Sequence, residues 1–149
     1  MIVDPGSGVD ILVVEDNPRD AELTVRAIRH CLASNTLRVS PDGADALDFI
    51  FGRGAHAHRR GAPPPRLIML DLKLPRVGGL EVLDALKSDE VTRTIPLVVV
   101  TSSSQDADIR AAYAKGANSY VIKPVEFEAL MEAIGRIGTY WLSVNQPMR

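Results

Sequence analysis

Short, wholly apolar runs alternate along the chain with segments of helical periodicity. Ile11-Leu12-Val13-Val14, Leu67-Ile68-Met69-Leu70 and Leu97-Val98-Val99-Val100 are the clearest runs. Leu37-Arg38-Val39 is a weaker one, and Ser119-Tyr120-Val121-Ile122 closes the series. Runs without polar alternation predict strands buried on both faces, the habit of parallel sheets. Between them the chain carries helix signals. Asn17 is a good N-cap with Pro18 at the first helical position, and Ala21, Val25 and Ile28 mark one face. Pro41-Asp42-Gly43 leads into a short helix from Ala44 to Phe51, which Gly52 ends. A third helix is predicted near Leu80–Lys87. A fourth opens at Ser104 or Gln105 and runs to Lys115, before Gly116-Ala117-Asn118. The last runs from about Glu126 to Val144.

Strict alternation predicts an α/β fold: a doubly wound, five-stranded parallel sheet with five helices. Right-handed crossovers give the order 2-1-3-4-5, with a crevice between strands one and three at their C-terminal ends. Chemistry gathers at those ends. The first strand finishes in Glu15 and Asp16, the third in Asp71, the fourth in Thr101 and the fifth in Lys123-Pro124. One stretch breaks the pattern, from Gly52 to Arg66, with several arginines and Pro63-Pro64-Pro65. It reads as a loop at the opposite edge, stiffened by polyproline geometry. His56-Ala57-His58 has metal-like spacing without further ligands, so a solvated loop is expected. Cys31 is expected to be a small buried residue at a helix end.

Composition narrows the function classes. A chain of 149 residues is one domain, with a core expected over about 9–144. Its 46% hydrophobic and 24% charged content is that of an ordinary globular protein. A net charge of −2 argues against a nucleic-acid or membrane footprint, and no apolar run approaches a membrane span. Met1 to Asp10 is too short and acidic for a secretory leader. A single cysteine fits a reducing compartment, so a cytoplasmic location is expected. After Val144 only Asn145 to Arg149 remain, and no output domain is expected.

Two adjacent acids facing a third repel by roughly 4 kcal/mol per pair at ~4 Å in a partly screened site. A cation between them removes that repulsion, and all-oxygen ligands suit Mg²⁺. Asp16 and Asp71 are expected as direct ligands, with Glu15 direct or through water. A carboxylate can also attack phosphorus and become an aspartyl phosphate. Metal plus the Lys123 ammonium would offset the charge that develops, and the Thr101 hydroxyl would donate to a phosphoryl oxygen.

Glu15-Asp16-Asn17, Asp71 with Lys73-Leu74-Pro75 and Gly79, Thr101-Ser102 and Lys123-Pro124 together resemble the receiver domain of bacterial two-component response regulators. The resemblance implies a flavodoxin-like receiver fold and Mg²⁺-dependent phosphorylation of Asp71 by a phosphohistidine on a sensor histidine kinase. It further implies a cis Lys123–Pro124 bond and the backbone carbonyl of Lys73 as a metal ligand. Thr101 and Tyr120 would form the switch, Tyr120 turning inward when the Thr101 hydroxyl moves to the phosphate. Lys73 and Ser103 would tune dephosphorylation. Gly78 departs from receivers that carry Asp before the glycine, a change in a loop outside the phosphorylation centre. The long loop after the second helix, the Asp-Leu-Lys-Leu-Pro-Arg run and the late Tyr140-Trp141-Leu142 look like single-domain regulators paired with bacteriophytochromes.

The last helix suggests an output. Phe127, Leu130, Met131, Ile134, Ile137 and Trp141 keep three-four spacing and form its docking face, while Val125, Tyr140 and Val144 fall elsewhere. A homodimer through the fourth and fifth helices and fifth strand is expected, with Tyr113, Tyr120, Tyr140, Trp141 and Val144 on its face. The function expected is a stand-alone phosphoacceptor, self-catalysing its phosphorylation and slow autodephosphorylation but not otherwise an enzyme. One alternative is a shuttle to a histidine phosphotransfer protein. Another is a haloacid-dehalogenase-type phosphatase, which needs Asp where this chain has Lys73. A flavodoxin-like flavin protein would need hydroxyls and glycines where Glu15 and Asp16 stand.

Overall fold

The computed structural model of the protein describes residues 8–148, so most of the segment weighed above as a leader lies outside the described residues. Five strands form one parallel sheet: β1 (Ile11–Val14), β2 (Leu37–Ser40), β3 (Leu67–Leu70), β4 (Leu97–Thr101) and β5 (Ser119–Ile122). Their order is β2-β1-β3-β4-β5, as the alternation predicts. Five α-helices connect and cover them: α1 (Pro18–Cys31), α2 (Gly43–Phe51), α3 (Gly79–Lys87), α4 (Asp106–Ala114) and α5 (Phe127–Thr139).

Every residue of β1, β3 and β4 is buried, because helices cover both sheet faces. Strand alternation divides the core in two. Leu12, Val14, Ile68, Leu70, Leu97 and Val99 face α2, α3 and α4 through Leu47, Phe49, Val82, Leu83, Leu86 and Ala112. Ile11, Val13, Leu67, Met69, Val98 and Val100 face α1 and α5 through Ala27, Ile28, Leu130, Ile134 and Ile137. Helix ends follow local chemistry. The Asn17 side chain accepts from the amides of Arg19 and Asp20, Asp42 caps α2 through the Asp45 amide, and Gly52 closes α2 at φ 64.

Three local expectations differ from the structure. Residues 140–144 continue the last helix as a π turn, Tyr140–Val144, so its register shifts beyond Thr139. The loop at the far edge contains a 3₁₀ segment, Gly54–Arg59, and His56 is not solvated. Its Nε2 lies 2.8 Å from Asp45 Oδ1 and its ring meets Phe49 edge-on at 5.4 Å, so a charge partner and an aromatic face hold it. Cys31 is exposed, because Leu32 rather than Cys31 turns inward at the end of α1.

The turn into α3 is crowded enough to need glycine. A Cβ on Gly79 would lie 2.4 Å from the carbonyl oxygen of Asp71 and 2.5 Å from Leu72 Cα. Neither backbone atom can rotate away. Gly79→Ala should therefore lose about 1–3 kcal/mol of stability in urea unfolding.

Candidate functional site

β1 and β3 are neighbours in register, Val14 beside Leu70, so the residues after each strand emerge together. Glu15 and Asp71 are buried there and Asp16 is exposed. One carboxylate oxygen from each of Glu15, Asp16 and Asp71 lies within 4.8 Å of the others, an arrangement able to hold a divalent cation. The donors are all hard oxygens, which fits such an ion. Thr101, fully buried, ends β4, and its carbonyl accepts from the Lys123 amide at 2.7 Å.

Lys123 crosses the site. Its Nζ donates to Glu15 Oε1 at 2.5 Å, to Asp71 Oδ2 at 2.8 Å and to Asp20 Oδ2 at 3.0 Å. The Asp71 carboxylate also accepts from the Lys73 amide at 3.3 Å, and Glu15 from the Asn17 amide at 3.2 Å. Burial works against the charge on all three groups, yet the outcomes diverge. For Asp71 the Lys123 hydrogen bond and charge, with the Thr101 hydroxyl and Lys73 amide, outweigh burial and hold its carboxyl below the ordinary range. For Glu15 burial wins, helped by the Asp71 charge, and pushes its carboxyl up to about 7. Burial would lower the Lys123 ammonium, but the hydrogen bonds and charges of Asp71 and Glu15 raise it above its usual value. Asp71 is thus the carboxylate of the cluster that is held ionised.

The two residues of the expected switch, Thr101 and Tyr120, are linked through Ser103. The Tyr120 hydroxyl donates to the Ser103 carbonyl at 2.9 Å, in the loop that follows Thr101. The Ser103 amide lies 3.5 Å from Thr101 Oγ1, and the Ser103 hydroxyl donates to Asp108 Oδ2 at 2.5 Å. Sequence reasoning missed Asp20 and Asp108. Asp20 stands one turn into α1 beyond the Glu15-Asp16-Asn17 motif, and an acid there reads as a first-turn charge on a helix dipole.

The Lys123–Pro124 bond departs from expectation, since no peptide bond among the described residues is cis. The trans form is the lower-energy isomer for X–Pro, and Lys123 reaches all three carboxylates from it. The five aromatic and apolar residues expected on one dimer face do not form one patch. Tyr113 and Tyr120 sit together, ring centroids 6.5 Å apart. Tyr140 and Val144, carried by the π turn, line a groove with Cys31 at the end of α1. Trp141 is half-buried against the core layer beneath α1 and α5.

Similarity to known proteins agrees with this geometry. The response regulator receiver domain model matches residues 11–135. The probable methanogenesis regulatory protein FilR2 of Methanothrix harundinacea (strain 6Ac) is 42% identical over 137 residues, spanning 91% of this chain and 85% of the relative. The structure of the phosphorylated cyanobacterial phytochrome response regulator RcpA superposes with a TM-score of 0.87 at 32% identity, covering 95% of this chain and 99% of the other. The bacteriophytochrome response regulator AtBRR is 43% identical, with a TM-score of 0.73 over 93% of this chain and 98% of its own.

The Glu15 shift fixes the sign of a pH dependence. Folded protein keeps a proton that the unfolded chain releases above about pH 4.5, so stability falls as pH rises from there through about 7. Asp71 acts in the opposite sense, but only below its ordinary range. In EDTA, stability should decline by up to roughly 3 kcal/mol across that window. Thermal melts at stepped pH should show Glu15→Gln flattening the slope.

Proposed function

The chain belongs to the response regulator receiver domain family, and from that premise we propose that it takes a phosphoryl group onto Asp71 and signals by changing its own surface. Receiver domains partner with sensor histidine kinases, and the donor proposed is a kinase phosphohistidine. The observation that carries the proposal is Asp71 itself. It is a buried carboxylate held ionised by Lys123, beside two further acids and at the tip of a central strand.

An Asp71 oxygen attacks phosphorus while the P–N bond to the donor imidazole breaks, and the imidazole leaves with that electron pair. Glu15, Asp16 and Asp71 would hold Mg²⁺ together with the Lys73 carbonyl, and the ion would offset charge on the phosphoryl oxygens. Lys123 then turns one ammonium proton to a phosphoryl oxygen, and the Thr101 hydroxyl donates to another. Movement of Thr101 draws on the loop that carries Ser103, which Tyr120 holds by its hydroxyl. The switch therefore runs from Asp71 through Thr101 and Ser103 to Tyr120. Lys73, exposed beside the nucleophile, and Ser103 are placed to tune hydrolysis of the phosphate.

The kinase proposed is a bacteriophytochrome, on the strength of AtBRR and RcpA, two phytochrome regulators that the chain matches over most of its length. The receiver itself is proposed as the signalling unit, acting in the cytoplasm. No helix among the described residues is long and apolar enough to cross a membrane. A homodimer through α4, β5 and α5 is proposed as the output, because Tyr113, Ile122 and Val125 leave apolar surface on that side.

Acetyl phosphate with Mg²⁺ should label the wild-type chain and leave Asp71→Asn unlabelled; label on that variant would refute the assignment. Light scattering should show a species of twice the 16.2 kDa chain mass, reduced to monomer by Tyr113→Glu with Val125→Glu. A single-chain mass before and after phosphorylation would remove the dimer.

A further inference from the structure

The Lys123 ammonium has three protons, and three carboxylates accept them: Glu15, Asp71 and Asp20. Two of these, Glu15 and Asp71, belong with Asp16 to the group whose oxygens can close on a cation. Asp20 stands outside that group and comes from another element, the first turn of α1. The Asn17 side chain fixes its backbone, accepting from the Asp20 amide at 3.1 Å. A helix dipole accounts for an acid at this position. It does not account for a 3.0 Å bond to a lysine at the end of β5, 103 positions away.

Glu15 and Asp71, holding a cation with Asp16, would turn toward it, and an ammonium beside it would be repelled. Lys123, with a side chain only 10% exposed, would then lose two of its three anionic partners. A poorly hydrated ammonium without a partner is expensive, so it would swing out to water unless another anion held it. Asp20 is in place to do so.

We propose that Asp20 is a positioning residue for Lys123, keeping the ammonium at the mouth of the site while Glu15 and Asp71 serve the cation and the phosphoryl group. This rests on the reading of Asp71 as phosphoacceptor. Retained by Asp20, Lys123 has two protons free, one of them for a phosphoryl oxygen. Asp20 touches neither the cation nor phosphorus in this scheme. Its effect passes through Lys123.

The test uses the full chain, acetyl phosphate and saturating Mg²⁺, with Asp20→Asn and, as a second variant suited to a helix N-terminus, Asp20→Ser. Both should slow labelling of Asp71 about tenfold, the worth of one charge-assisted hydrogen bond. Calorimetry should find their Mg²⁺ affinity changed by less than about twofold, and melting curves verify folding. In a Lys123→Ala background the Asp20 substitution should slow labelling no further, the mark of an effect carried by the pair. Wild-type labelling rates in both variants, or an undiminished loss in the Lys123→Ala background, would overturn the proposal. Absence of label on the wild-type chain would instead overturn the phosphoacceptor reading, and this proposal with it.

Discussion

One ammonium holds this site together. Glu15, Asp16, Asp20 and Asp71 crowd the C-terminal edge of the sheet, and Lys123 bonds three of them. The remaining excess of negative charge sets everything else. It adds, through the Asp71 charge, to the burial that pushes the Glu15 carboxyl up to about 7 against the lysine. It also makes the place receptive to a divalent cation, since bringing such an ion to Glu15, Asp16 and Asp71 relieves repulsion rather than adding to it. The phosphoryl group proposed for Asp71 would bring the opposite need, for positive charge and donors, and the same lysine would meet it. Lys123 is therefore the counter-ion of the acidic cluster and, in the function proposed, would become a phosphate ligand.

The fold places these groups with little freedom. Parallel pairing puts Glu15 beside Asp71 because Val14 and Leu70 are in register, and a slip of one residue would turn either carboxylate to the wrong face. β1, β3 and β4 are buried along their length, so such a slip would also expose core side chains. Gly79 admits α3 so close to the chain after Asp71 that its amide bonds the Leu72 carbonyl at 2.9 Å. Asp71 stands between a rigid strand and a turn that only glycine permits.

Strands and strand tips were legible in the sequence because their signal is local: an unbroken apolar run followed at once by an acid, hydroxyl or lysine. Glu15, Asp16, Asp71, Thr101 and Lys123 carry that signal and the structure brings them to one edge. Asp20 carries none, because its partner is distant in sequence and its own position is ordinary for a helix start. His56 was misjudged for a related reason. Its partners Asp45 and Phe49 lie on the preceding helix, and nothing in a loop rich in arginine and proline announces them. The end of the last helix shows a third limit. Three-four spacing assumes an α-helical period, and the π turn at Tyr140–Val144 moves Tyr140 and Val144 toward α1 rather than β5.

The route from the site to the surface can be weighed in energy. Moving a two-state switch from 1:99 to 99:1 takes about 5.5 kcal/mol of differential stabilisation. Charge-assisted hydrogen bonds from Thr101 and Lys123 to a phosphoryl group would each supply roughly 1.5–3 kcal/mol, enough together to approach that figure. In this structure Tyr120 is already tied to the Ser103 carbonyl, and the Ser103 hydroxyl to Asp108. The loop after Thr101 thus has partners in place before any phosphate arrives. Less differential energy is then needed from the phosphoryl group, because part of the ordering lies within the fold. Asp108 sits in the first turn of α4, so the bond that steadies the loop also fixes the helix bearing Tyr113. From Asp71 the contacts run through Thr101 and Ser103 to Asp108 on that helix, the path along which the phosphorylation proposed at Asp71 would be felt.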